Sequence, residues 1–162
     1  LVYSNRGGFS SMDLNKKVGD FMRKAVFVEL GTNMKEVAEL MAKEQTEILV
    51  VREKGNVEGV ITEIDLFYML KSYAFPELSG HPEDLKDIKL DKAMVAKVSK
   101  DFMTACQLFG AHPCLMIGEE DTLENAIRIM VAGGTNHLPV IGEKGDVTGT
   151  VSPMDIIKAF IE

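Results

Sequence analysis

The chain repeats itself, and the repeat limits the folds open to it more than any other feature does. Residues 53–66 read EKGNVEGVITEIDL and residues 143–156 read EKGDVTGTVSPMDI. The two stretches align without a gap at an offset of 90, with Gly55 on Gly145, Val57 on Val147, Gly59 on Gly149, Thr62 on Ser152 and Asp65 on Asp155. Upstream, Met34, Val37, Ala38 and Met41 fall on Leu123, Ala126, Ile127 and Met130 at an offset of 89. Asp20-Phe21-Met22 is echoed by Asp101-Phe102-Met103.

Each copy predicts the same order of elements. Met34, Val37, Ala38 and Met41 have the spacing of an amphipathic helix, with Asn33 and Glu36 as a capping pair and Asp121 and Glu124 as its counterpart. Two apolar runs follow, 48–51 and 57–62, joined by the turn Lys54-Gly55-Asn56, which is a hairpin pattern. A second helix carries Ile64, Phe67 and Tyr68. The other copy repeats this with strands at 138–141 and 147–152 and a helix through Ile156, Ile157 and Phe160. Pro153 sits where a helix's first turn tolerates proline. Leading strands are expected at 25–30 and 114–117. The fold class expected is therefore α/β, with two β-α-β-β-α units. A three-stranded unit covers one sheet face with its helices and leaves the other bare, so the two units should pack as a pseudo-twofold pair through their sheets. The expected divisions are an N-terminal arm at 1–17, a first unit at 18–74, a linker at 75–97 and a second unit at 98–162. A short helix is expected in the linker near 85–96.

Several classes of function are disfavoured. The formal charge of −7 argues against nucleic acid, which needs a basic patch. No apolar run approaches the length of a membrane span, and residues 1–11 lack the pattern of a signal peptide. Cys106 and Cys114 form no CxxC and have no zinc spacing with histidine, so they read as reduced thiols in a cytoplasmic protein. There is no phosphate-binding glycine loop, nucleophile elbow or HExxH. His112 has no visible partner, and the methionines fall on helix faces as core filler. The expectation is that the chain is not an enzyme and needs no cofactor or metal.

The two stretches Gly59-Val60-Ile61-Thr62-Glu63-Ile64-Asp65 and Gly149-Thr150-Val151-Ser152-Pro153-Met154-Asp155, with His137-Leu138-Pro139-Val140, resemble the hallmark of the tandem cystathionine-beta-synthase-type (CBS) domain pair, or Bateman module. The resemblance covers about residues 18–162. It implies a regulatory module whose clefts take AMP, ADP or ATP, or S-adenosylmethionine or a related adenosyl compound. Asp65 and Asp155 would accept from ribose hydroxyls, and Thr62 and Ser152 would donate to the first phosphate. The strand starts near Val26, Cys114 and Leu115 would flank the adenine, and His137 with Asn136 would lie at the rim. The resemblance also implies a homodimer built from the terminal helices, and a separately encoded effector protein is a further candidate partner. The alternative is a pair that only dimerises, with degraded ligand sites.

The chemistry of the residues agrees with these roles. A hydroxyl just before a helix lies beside N–H groups without intrahelical partners, a favourable place for phosphate. An ionised Asp one turn on has two acceptor oxygens for vicinal hydroxyls. The same residues also suit simple helix caps. At the position read as equivalent to His137 the first copy carries Glu47, a carboxylate that would repel phosphate. The second cleft is therefore expected to be the better one. Residues 104–112, extra in the second copy, are expected to cover a cleft or form a subunit contact.

Overall fold

The computed structural model describes residues 13–75, 84–95, 98–99 and 114–161. The first unit runs β2 (Phe27–Glu29), α1 (Met34–Glu44), β3 (Ile48–Glu53), β4 (Asn56–Thr62) and α2 (Glu63–Ala74). It is preceded by a 3-10 turn at Val18–Asp20 and by β1 (Arg23–Lys24). The second unit has β5 (Val98–Ser99), β6 (Cys114–Leu115), β7 (Ile117–Gly118), α3 (Leu123–Gly133), β8 (Leu138–Ile141), β9 (Val147–Val151) and α4 (Pro153–Ile161). The β-α-β-β-α order is that expected from the repeat. Among the described residues no helix is long and apolar enough to cross a membrane.

Local chemistry places the elements. Asn33 caps α1 by accepting from the Glu36 amide, and Met34, Val37 and Met41 turn inward. The cap of α3 is Thr122, not Asp121: Thr122 Oγ1 accepts from the Asn125 amide, while Asp121 takes the Gly118 amide and the Asn125 side chain. Thr122 has the extended backbone a capping residue needs and stands at the offset of 89 from Asn33. The leading strand expected at 114–117 is broken in two. Its first half, β6, pairs in parallel with β5, and its second half, β7, pairs in parallel with β8.

The first sheet has the order β2-β3-β4 and the second β1-β9-β8-β7. Ile48, Leu49, Val50 and Val51 are all buried, as a strand covered on both sides requires. Alternation divides them. Leu49 and Val51 join Met34, Val37, Met41 and Ile61 in the first unit's core. Ile48 and Val50 face the other way and form a separate cluster with Val60, Ala25 and Val147 of the second unit. That cluster joins the two sheets. The second unit's own core holds Leu123, Ala126, Met130, Leu138, Val140, Val151 and Ile156.

Residues 84–95 form turns, not the short helix expected there. Asp84 Oδ1 accepts from the Lys86 amide, and Asp91 Oδ1 accepts from the amides of Ala93 and Met94. Such side-chain acceptors close turns in competition with helix. Leu90 and Val95 are buried in the first unit's core, and the Lys92 ammonium bonds Glu53 at 2.7 Å. That bond holds the Glu53 carboxyl below its ordinary range. The arm before residue 13 and the 104–112 segment lie outside the described residues.

The start of the first unit packs on the second. Val18, fully buried, belongs to the second unit's core. Its amide bonds the Asp121 carbonyl, the Gly19 amide bonds the Glu119 carbonyl, and Lys16 Nζ reaches the Ala159 carbonyl at 2.8 Å. The strand β1 then pairs antiparallel with β9, Arg23 opposite Thr150 and Lys24 opposite Gly149. A glycine is needed there, since a Cβ on Gly149 would stand 2.7 Å from the Arg23 carbonyl oxygen and 2.5 Å from Met22 Sδ.

Two substitutions test this docking. Val18→Ala removes two buried methyl groups and should cost about 1.5–3 kcal/mol in chemical denaturation. Gly149→Ala should cost about 1–3 kcal/mol by pushing β1 away. It should also speed hydrogen exchange at the Ala25 amide, which is bonded to the Thr148 carbonyl. Unchanged stability in both variants would show that the segment is not docked.

Candidate functional site

The second copy of the motif sits at the margin of the seam between the units. Ser152 ends the run from β9 and Asp155 lies in the first turn of α4. Asp155 Oδ2 accepts from both the amide and the hydroxyl of Ser152, at 2.9 and 2.7 Å. Its Oδ1 accepts from Arg23 Nε at 2.7 Å. Ser152 and Asp155 are both buried, whereas the Arg23 side chain is 42% exposed. Arg23 also donates to the Gln45 carbonyl of the first unit at 3.2 Å. Arg23, Thr46, Glu47, Ile48, His137, Ser152 and Asp155 line one narrow crevice.

The first copy closes its cap in the same way. Asp65 Oδ2 accepts from the Thr62 amide and hydroxyl at 2.7 and 2.8 Å. Here Thr62 and Asp65 are only half-buried. In both copies the carboxylate therefore bonds back to the hydroxyl residue three positions earlier, which pins the start of the helix, and in the second copy Ser152 Oγ also accepts from the Asp155 amide.

His137 is buried, and its ring turns toward the first unit. Nε2 lies 3.3 Å from Glu63 Oε2 and 3.9 Å from Glu47 Oε2. The pairing of His137 with Glu47 as equivalent positions needs correction. Thr46 Oγ1 donates to the Ile48 carbonyl, and Thr135 Oγ1 donates to the His137 carbonyl. In the sheets, Val51 faces Gly59 as Val140 faces Gly149. The offset of 89 therefore persists through both strands, and the extra residue enters only in the second turn. The counterpart of His137 is Ile48, and that of Glu47 is Asn136. Glu47 also does not stand at a separate first-copy rim: it shares the crevice of Ser152 and Asp155. The pseudo-twofold packing brings the two strand starts face to face, so each unit contributes to the other's margin. The electrostatic ground for expecting a weaker first cleft is thereby removed.

The remaining candidates are spread out. Asn136 is exposed beside an apolar groove between α3 and α4. Leu115 is buried in the second unit's core. Cys114 lies in β6, opposite Val98. Val26 is half-buried, and its carbonyl accepts the Val50 amide. Three of the predicted residues, Ser152, Asp155 and His137, thus meet in one crevice. Thr62, Asp65 and Val26 stay on the first unit. Sequence reasoning missed Arg23 and Glu63. Arg23 directly follows the echoed Asp-Phe-Met, but the other copy has Thr104 there, so the repeat gave no cue. Glu63 lies inside the motif, at the position Pro153 takes in the second copy.

The CBS domain family model matches residues 18–72 and 100–162. An uncharacterised protein of Methanocaldococcus jannaschii, MJ1225, is 26% identical over 158 residues, covering 96% of this chain and 51% of that protein. The chain thus spans about half the length of that relative. The crystal structure of MJ1225 aligns with a TM-score of 0.66 at 23% identity over 92% of this chain and 49% of that one. CBSX2, solved in complex with AMP, aligns at 0.62 with 18% identity over 90% of this chain and 96% of that one. The CBS domain pair of MJ0100, solved with 5′-methylthioadenosine and S-adenosyl-L-methionine, aligns at 0.64 with 18% identity over 90% and 95%.

The Arg23–Asp155 pair makes a stability prediction of its own. Removing Arg23 leaves a buried carboxylate short of its cation, which is costly. Because Arg23 is half in solvent, Arg23→Ala should cost about 1–3 kcal/mol, below the range for fully buried pairs. Adding Asp155→Asn should recover part of that loss. A double-mutant cycle by urea denaturation measures the coupling, and additive losses would show that the pair is not coupled.

Proposed function

The chain belongs to the CBS-domain family, and from that premise we propose that it is a regulatory module binding an adenine nucleotide or another adenosyl compound in the Ser152–Asp155 crevice. The observation that carries this reading is Arg23, a half-exposed guanidinium 2.7 Å from Asp155 Oδ1. A guanidinium's planar fork matches a phosphate. An arriving phosphate draws Arg23 from the carboxylate and so frees Oδ1 to accept from a ribose hydroxyl. The phosphate then pairs with Arg23, while the carboxylate keeps its Ser152 donors and takes ribose hydroxyls in place of the guanidinium. The start of α4 behind Ser152 adds its favourable dipole. The crevice must widen to admit a nucleotide, and exposed Glu47 and half-exposed Arg23 have the freedom to move. The adenosyl ligands of CBSX2 and MJ0100 support the chemical class. AMP, ADP and ATP suit the cation; S-adenosylmethionine has no phosphate and would use Asp155 alone. We assign the module to the cytoplasm, with a separately encoded effector reading its state.

A second reading has an observation in its favour. Both oxygens of Asp155 are already engaged, as in a pair kept for assembly with its ligand sites closed. Titration calorimetry separates the two readings. AMP should bind the wild type. Arg23→Ala should weaken AMP about 10-fold or more, the value of a hydrogen bond to a charged group, without weakening adenosine, which has no phosphate and gains a freed Oδ1. No heat and no melting shift with AMP, ADP, ATP, adenosine or S-adenosylmethionine would leave assembly as the function.

Assembly belongs to the first reading as well. Phe67 and Tyr68 on α2 and Ile157 and Ile161 on α4 are at least half exposed. A groove of about 490 Å³ between α3 and α4 is lined by Ile127, Met130, Val131, Ile156, Ile157 and Phe160. Apolar surface of this kind marks an interaction site, and we assign it to a homodimer. Light scattering at micromolar concentration should give twice the chain mass, and Phe67→Glu with Ile157→Glu should give one chain mass. A monomeric wild type would count against the dimer.

A further inference from the structure

The polar cluster across the seam has a use separate from nucleotide binding. We propose that His137, Glu63 and Glu47 form a site for a first-row divalent transition-metal ion, with Zn²⁺ the best match, which ties the two units together. Glu47 and Glu63 come from the first unit, just before β3 and at the start of α2. His137 comes from the second unit, just before β8. One ligand atom from each lies within 4.8 Å of the other two. A tetrahedral ion with ligand bonds of about 2.0–2.1 Å has edges of about 3.3 Å. The His137 Nε2 to Glu63 Oε2 edge is already 3.3 Å. The Glu47 edge is 3.9 Å, and that side chain is 62% exposed, so it can close the remainder without disturbing the core.

The state of His137 gives independent support. The residue is 6% exposed, and the buried Oε2 of Glu63 facing its Nε2 has no hydrogen-bond partner. Buried polar atoms are nearly always satisfied. The Nε2 atom points at two carboxylates, which only accept. Nε2 also lies 3.4 Å from Glu63 Oε1, a long contact that a proton or a shared cation between the two groups would satisfy. Among the described residues the ion pairs of Glu47 and Glu63 are both with His137, and the nearby guanidinium of Arg23 is bonded to Asp155 and the Gln45 carbonyl. Among the described residues no lysine or arginine ion pair reaches either carboxylate.

The donor set selects the ion. One imidazole and two carboxylates suit zinc and its neighbours better than Mg²⁺ or Ca²⁺, which prefer all-oxygen shells. Two carboxylates balance a charge of +2, and three protein ligands leave a fourth position for water. The backbone is already in place. The Glu63 amide bonds the Glu47 carbonyl at 3.0 Å, and Thr135 holds both the amide and the carbonyl of His137. None of Arg23, Ser152 and Asp155 is a ligand, although His137 and Glu47 line the same crevice.

The test uses the full chain stripped with chelator, titrated with Zn²⁺ and Co²⁺ by calorimetry and followed by thermal shift. One ion per chain is expected, raising Tm by roughly 5–10 °C at a hundredfold excess over Kd, with no effect from Mg²⁺. Bound Co²⁺ should show weak visible bands without thiolate charge transfer. Glu63→Gln and Glu47→Gln, both on partly exposed side chains, should each lose at least 10-fold in affinity while the metal-free Tm stays near that of the wild type. The double change Cys106→Ser, Cys114→Ser should leave binding intact. Absence of saturable binding overturns the proposal. So does binding that survives Glu63→Gln, or binding that is lost with the cysteines.

Discussion

A three-stranded sheet with helices on one side leaves its other face bare. In the first unit that face is Ile48, Val50 and Val60, which are almost wholly removed from water only because Ala25 and Val147 lie over them. Side chains of this size contribute roughly 1.5–3 kcal/mol each when fully buried. Forfeiting three of them would consume much of the stability of a small domain. The units therefore do not pack as independent spheres. The exchange is reinforced by Val18, which enters the second unit's core although it stands at the start of the first unit.

Closing the seam brings its margins together. The two strand starts, 46–48 and 135–137, converge there, as do the start of α2 and the β1 residue Arg23. Charged groups from separate parts of the chain thus end near one another where water is partly excluded. In such surroundings a missing partner is expensive. The Arg23–Asp155 bond satisfies one acid. The cluster of His137, Glu63 and Glu47 is left with Nδ1 and one carboxylate oxygen unpaired. In the functions proposed above, a phosphate would engage the first arrangement and a cation the second.

The hydroxyl–Asp motif has a structural role in both copies. The aspartate turns back to the residue before the helix and fixes the helix start. This is compatible with a ligand role, because each carboxylate has a second oxygen. At Asp155 that oxygen is held by Arg23, carried in on β1, and the position equivalent to Arg23 in the other copy is Thr104.

The secondary structure and the pairing of the units were legible in the sequence, because helix period, strand alternation and duplication are local or self-referential patterns. Asn33 and the ILVV run at 48–51 announce their own roles. The short linker helix was misread because its aspartates compete for backbone donors within the turns, which composition does not reveal. The one-residue change of offset was set too early because only the strand register locates the extra residue in the second turn. Ser152, Asp155 and His137 could be named from the pattern, but their partners could not. Arg23 stands 132 residues from Asp155, and Glu63 stands 74 from His137. By itself the sequence determined which segments become helix and strand and that two copies must share their bare faces, since both follow from spacing and burial. Only the tertiary structure decided which charges meet at the seam, because that depends on where sheet packing brings remote chain segments together.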